Sequence, residues 1–289
     1  MNNNQDDKKV WFVTGASKGL GLTLAKKLLS EGFRVAATSR NAKALIEAVG
    51  EKSENFLPLE MDLLNEQSVS EAIQKTLAAF GEIDVIVNNA GYGQVGTLEE
   101  VSDQEVRNNF DVNVFSVLNV IRSVMPHLRA QRSGHVFNIS SIGGYTANFA
   151  GWGIYCSTKF AVAALTESLA AEVKSFNVTA TVVYPGYFRT DFLTKDSMGL
   201  PENPIAEYEE ARQSVDFHQN EMNGNQPGDP EKLADVLIKI ASEANPPLHL
   251  FLGSDAYNSA NAKIAAVQGD LENWKSLTIS TDFENAKTA

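Results

Sequence analysis

At 289 residues and 43% hydrophobic content, the chain has enough apolar side chains for one large α/β core or two small ones. Its formal charge of -12 argues against nucleic acid or an anionic membrane as a main partner, because phosphate binding needs clustered cations. The polar opening from Met1 to Asp7 lacks a secretory apolar stretch, and no run reaches the roughly 18 apolar residues that span a bilayer, so a soluble, cytoplasmic protein is expected.

In chain order, apolar runs alternate with amphipathic helical stretches, the pattern of a parallel sheet covered on both faces. Strands are predicted at Val10 to Thr14, Arg34 to Ser39, Asn55 to Glu60, Val85 to Asn88, His135 to Ile139, Thr179 to Tyr184 and Leu248 to Leu252. Helices are predicted at Leu20 to Glu31, Asn65 to Phe80 with Asn65 as cap, Asn109 to Gln131 and Tyr155 to Phe176. No linker divides them, so the fold class is α/β, Rossmann-like and doubly wound, with a seven-stranded parallel sheet in a single domain. We set residues 1–8 as a disordered polar N-terminus, 9–270 as the catalytic domain and 271–289 as a C-terminal tail, with Trp274 and Leu277 expected to anchor that tail. Between Tyr187 and Gly228 the periodicity is ambiguous and acidic, aromatic and proline residues mix, including Leu200, Tyr208 and Phe217. A connection this long reads as a substrate lid over 187–228 or as a solvated insertion. Order restarts at Asp229-Pro230-Glu231, a cap and first turn.

Three segments carry chemistry. Thr14-Gly15-Ala16-Ser17-Lys18-Gly19-Leu20-Gly21 lies between a strand and a helix, where glycines let the backbone approach a pyrophosphate and the helix start faces the anion. Its spacing, Gly-x-x-x-Gly-x-Gly, departs from the common dinucleotide fingerprint. Tyr155 and Lys159, four residues apart, put a phenol and an ammonium on one helix face, and a nearby cation lowers a phenol pKa toward use as a proton donor and acceptor. Ser140-Ser141 closes the strand that precedes them. Neighbouring side chains on extended backbone point to opposite faces, so only one of the two serines can aim at a substrate. Cys156, the single cysteine, forms no intrachain disulfide and has no adjacent histidine to activate it. The four histidines are scattered without ligand spacing, and no catalytic metal is expected.

Taken together, these segments resemble the classical branch of the short-chain dehydrogenase/reductase family from about Lys9 to Leu252. Thr14-Gly15-x-x-x-Gly19-x-Gly21 looks like the cofactor loop, Asn88-Asn89-Ala90-Gly91 like the fourth-strand motif, and Pro185-Gly186 with Thr190 like the segment that holds the nicotinamide end. The resemblance implies Asn113, Ser141, Tyr155 and Lys159 as catalytic residues. As cofactor contacts it implies Gly15, Ser17, Lys18, Gly19, Leu20, Gly21, Ser39, Arg40, Asp62, Leu63, Asn89, Ala90, Gly91, Tyr155, Lys159, Pro185, Gly186, Phe188 and Thr190. It further implies that Tyr155 donates a proton, Ser141 polarises the substrate oxygen, Lys159 lowers the Tyr155 pKa and holds the nicotinamide ribose, and Asn113 positions a water. Of the two serines it favours Ser141, although the stretch from Ser141 to Tyr155 is one residue longer than the commonest family spacing.

Thr38-Ser39-Arg40 stands where an acidic residue would bind the ribose hydroxyls of NAD. Arg40, Ser39 and Lys18 instead suit a 2′-phosphate, so the expected cofactor is NADP(H). The resulting expectation is an NADPH-dependent carbonyl reductase, reversible as an alcohol dehydrogenase, acting on a small-molecule ketone or aldehyde. The alternative is a non-catalytic nicotinamide-binding sensor or scaffold protein. Leu250 to Asp255 replaces the glycine-rich end that supports tetramers in many relatives, so a homo-oligomer stays open but a tetramer is not expected. This end looks more like the subgroup similar to hydroxysteroid dehydrogenases.

Overall fold

Apolar runs such as Val10–Val13 become the central strands of the molecule, seen here in a computed structural model that describes residues 8–50, 53–195 and 197–283. The strands are β1 (Val10–Val13), β2 (Arg34–Ser39), β3 (Phe56–Glu60), β4 (Val85–Asn88), β5 (Gly93–Gln94), β6 (Gly134–Ile139), β7 (Val178–Pro185), β8 (Met198–Gly199) and β9 (His249–Leu252). All but β5 and β8 form one parallel sheet in the order β3-β2-β1-β4-β6-β7-β9. The expected seven-stranded, doubly wound sheet is therefore present. Residues 1–7 of the polar N-terminus lie outside the described residues.

The helices are α1 (Gly19–Ser30), α2 (Ala42–Val49), α3 (Glu66–Phe80), α4 (Asp103–Phe110), α5 (Ser116–Gln131), α6 (Gly153–Val173), α7 (Glu209–Asp216), α8 (Pro230–Ile240) and α9 (Ser254–Ile279). Alternation along β1 assigns them to layers. Trp11 and Val13 pack with Leu24 and Leu28 of α1, Leu45 of α2 and Leu237 of α8, whereas Phe12 packs with Ile73 of α3, Val124 of α5 and Leu169 of α6. The strand order reverses between β1 and β4, so their carboxyl ends border the crevice where such sheets bind ligands.

Three differences from the predicted elements bear on function. The helix expected from Asn109 begins earlier, at Asp103, where Ser102 and Glu105 form a reciprocal capping box. It is then interrupted by a π-helical turn, Asp111–Phe115, before α5. The lid segment contains α7 and a second π-helical turn, Phe217–Met222, and its β8 pairs with β5 beside the fourth strand. Finally, Trp274 and Leu277 anchor nothing within the described residues. Both belong to α9 and stand 61% and 62% exposed.

Candidate active site

The glycine loop is held by side chains from two strand ends. The Thr14 hydroxyl accepts hydrogen bonds from the Asn89 and Ala90 amides at 3.0 and 3.2 Å, and Asn89 Nδ2 donates to the Thr14 and Gly15 carbonyls at 3.0 Å each. This lacing brings the β1 loop so close to β4 that a Cβ on Gly15 would lie 2.8 Å from Ala90 Cα, and one on Gly21 would lie 2.5 Å from Asn89 Nδ2. Gly15 also has φ +64°, a left-handed backbone that favours glycine. Lys18 sits at the cap of α1, where the helix start, with its first amides and positive dipole end, suits an anionic group. The loop thus fits the pyrophosphate of a dinucleotide.

The loop opens into a cavity of about 860 Å³ that runs beneath the lid. Most of the residues singled out from sequence line it. Gly15, Ser17, Lys18, Gly19 and Leu20 come from the loop, Ser39 and Arg40 from the end of β2, and Asp62 and Leu63 from the segment after β3. Asn89, Ala90 and Gly91 follow β4, and Pro185, Gly186, Phe188 and Thr190 lead from β7 into the lid. Ser141, Tyr155 and Lys159 complete the wall, whereas Gly21 and Asn113 sit behind it. The cation expected from Lys18 is engaged with the lid, because its Nζ donates to Ser197 Oγ at 2.6 Å. The Ser39 hydroxyl is committed to a turn with Asn41, accepting from its amide at 2.9 Å and donating to its carbonyl at 3.0 Å.

At the end of β6 the two serines part. The buried Ser140 donates its hydroxyl to the Lys159 carbonyl at 2.8 Å, while Ser141, supported by the Gly143 amide at 3.1 Å, lines the cavity beside Tyr155. Burial pushes the phenol pKa well above its ordinary value, and the neighbouring Ser141 hydroxyl opposes that rise only in part. Burial also pulls the Lys159 pKa down to about 8. Its Nζ donates to the Ile139 carbonyl at 2.8 Å and stands 5.9 Å from the centroid of the Tyr155 ring. In this state the ammonium does not lower the phenol pKa as expected, because desolvation dominates at Tyr155. Cys156 is likewise pushed up, to about 11 by burial, which suits a packed thiol and not a nucleophile.

Asn113 lies in the π-turn and reaches across to two neighbours. Its Nδ2 donates to the Tyr92 carbonyl and the Thr158 hydroxyl, both at 3.0 Å, and its Oδ1 accepts from the Tyr92 amide at 3.0 Å. It therefore ties the loop after β4 to α6, the helix that carries Tyr155 and Lys159. π-turns of this kind concentrate at functional sites, and one inserted residue re-aims every side chain after it.

Sequence reasoning missed the far wall. Phe149, Trp152, Tyr187, Phe192, Leu193 and His218 line the cavity beyond Tyr155, and Trp152 meets the Tyr155 and His218 rings at centroid distances of 5.6 and 4.8 Å. Of the lid residues that drew notice in the sequence, Met198 is buried against Trp152 and Tyr155, whereas Leu200, Tyr208 and Phe217 are exposed. The available signal was the aromatic pair Phe149 and Trp152 just before Tyr155. His218 is fixed as one tautomer: Nδ1–H donates to the Ser214 carbonyl at 2.6 Å, so Nε2 accepts from the Tyr187 hydroxyl at 2.8 Å. Burial holds its pKa below the usual histidine value, against the upward pull of the Ser214 carbonyl.

With this geometry the sequence comparisons agree. The family model described as short chain dehydrogenase matches residues 9–199. The chain belongs to the short-chain dehydrogenase family. Oxidoreductase BOA17 of Botryotinia fuckeliana is 34% identical over 275 residues, covering 94% of this chain and 99% of that protein. The 3-ketodihydrosphingosine reductase of Bacteroides thetaiotaomicron is 33% identical over 247 residues, covering 85% of this chain and 88% of its own. Among solved structures, a short-chain dehydrogenase from Streptomyces avermitilis is similar with a TM-score of 0.87 and 34% identity, over 96% of this chain and 99% of that one. As a member of the family, the protein is an oxidoreductase of the short-chain dehydrogenase type.

Proposed function

We propose that the protein is an NADPH-dependent carbonyl reductase, reversible as an alcohol dehydrogenase, acting on a hydrophobic ketone or aldehyde. The observation that carries this reading is that Ser141, Tyr155 and Lys159 stand together in the wall of the same cavity that the glycine loop enters. A bound dihydronicotinamide supplies the hydride. Ser141 and Tyr155 offer two hydroxyls to one substrate oxygen, and the raised phenol pKa keeps the proton on Tyr155 until negative charge builds on that oxygen. Lys159, whose Nζ stands 5.9 Å from the centroid of the Tyr155 ring, would hold the ribose side of the cofactor. Asn113 keeps one Oδ1 lone pair for a water on the proton path.

Two further features support the finer assignment. Arg40 is exposed at the rim of the cavity after β2, where its planar fork suits a 2′-phosphate and no acidic side chain occupies the usual ribose position. The aromatic wall from Phe149 to His218 favours an apolar substrate, in keeping with the relative whose name denotes a ketone reductase. Mixing the purified protein with NADPH and a panel of apolar ketones and aldehydes tests the reading. We expect steady loss of NADPH absorbance with several of them. Tight NADPH binding without turnover of any would replace the reductase with the non-catalytic sensor.

A further inference from the structure

α9 carries a surface that the active site does not use. Its first turns are packed, with Ala256 and Ala260 buried against Ile142 and with Tyr145 and Phe251 beside them. One turn later the helix leaves the domain, and every residue over 261–283 is exposed. A lone helical projection of this length, roughly 28 Å over 261–279 at the usual rise, is marginal in water unless a face of it is packed. The face that packed Ala260 continues outward as Ile264, Val267, Leu271 and Trp274, which are 53%, 41%, 55% and 61% exposed. Tyr257, Ala260, Ile264, Val267, Leu271 and Trp274 follow one another in alternating steps of three and four, the a and d positions of a heptad seam.

We propose that a second copy of this chain covers the seam, pairing α9 with α9 in an antiparallel homodimer. A twofold partner is self-complementary by symmetry, so one apolar stripe serves both sides. Burying on the order of 100 Å² from each of five side chains, Leu277 included, removes about 1,000 Å² from two copies, which reaches the threshold for a specific interface. The flanks mix both signs, Lys263 and Lys275 with Asp270 and Glu272, so no single-sign field opposes self-pairing. The same mixture, on a chain of net charge -12, is the wrong match for an anionic lipid surface, which selects helices with a cationic polar face. The direction follows from Ala256 and Ala260. They seat the domain on the seam side of the helix base, where a parallel partner would have to place its own base.

Sedimentation velocity of the full chain at micromolar concentration tests this, with Leu271→Glu/Trp274→Glu as the variant. Neither residue lines the cavity, so we expect unchanged kcat and a dimer weakened at least about 30-fold. A monomeric wild type, a dimer that survives the double substitution, or a monomer that co-sediments with phosphatidylserine vesicles would each overturn the proposal. Ile264→Cys reports direction, because Cys156 is buried and leaves one accessible thiol. Antiparallel helices paired over the projection hold the two introduced thiols roughly 18 Å apart and unlinked. Ready disulfide formation would mean a parallel pair.

Discussion

Replacing Ser140 and Ser141 separately by alanine should produce two different failures, although the residues are chemically identical neighbours. Ser141→Ala deletes the hydroxyl that stands beside Tyr155 in the cavity wall, so on the proposed mechanism it removes a donor aimed at the developing oxyanion. The loss should be about 3 kcal/mol of transition-state stabilisation, or on the order of 100-fold in kcat, with little change in folding. Ser140→Ala deletes a buried hydroxyl whose 2.8 Å bond ties β6 to the Lys159 carbonyl. One such bond contributes about 1 kcal/mol, which corresponds to a fall of roughly 2–4 °C in Tm, and kcat should stay within about threefold. Steady-state kinetics with one ketone and a thermal melt of each variant measure both quantities. A larger kcat loss for Ser140→Ala, with both proteins folded, would refute the assignment and show that the longer spacing to Tyr155 shifts the register.

Tyr155→Phe should abolish turnover while leaving NADPH affinity within about threefold, since it removes a proton donor and little volume; isothermal titration beside the activity assay checks the split. Arg40→Ala should cost NADPH about 10- to 100-fold in kcat/KM and leave NADH nearly unaffected, as expected for loss of charge-assisted hydrogen bonds, and equal losses for both cofactors would remove Arg40 from phosphate recognition. With NADPH as the varied substrate, kcat/KM should fall as pH rises through about 8, where the buried Lys159 loses its charge in the free enzyme, and a flat profile up to pH ~10 would contradict it. The same shift has a stability sign. Because burial lowers the Lys159 pKa, the penalty for its charge is full below about pH 8 and is relieved as pH rises toward the ordinary lysine value of 10.5.

Strands were legible because β1, β4 and β7 are continuous apolar runs bounded by turn residues, and the glycine loop and Tyr155 follow from them by spacing. The capping box Ser102-x-x-Glu105 was also written in the sequence and would have moved the start of α4 to its observed place. The π-turn at Asn113 was not legible, since one inserted residue leaves the helical pattern intact on both sides. Nor was the far wall of the cavity. Tyr187 and His218 lie 31 residues apart and meet only because the lid folds back through its own turns. Trp274 and Leu277 show the opposite error, since an apolar residue in the sequence does not by itself imply packing against its own domain.

Beyond its ties to Lys18 and β5, the lid is fastened to the start of α4. Glu100, with its side chain fully buried, accepts from the Ile205 amide at 2.6 Å and pairs with Arg212 at 2.6 Å, while Glu105 accepts from the Glu202 amide at 3.2 Å. These carboxylates flank the start of α4, and α4 runs without a break into the π-turn whose Asn113 grips Tyr92 and the catalytic helix. Lid and catalytic helix therefore hang from one beam. A substitution that frees this end of the lid, such as Glu100→Gln, should therefore be felt at the loop after β4 that Asn113 holds.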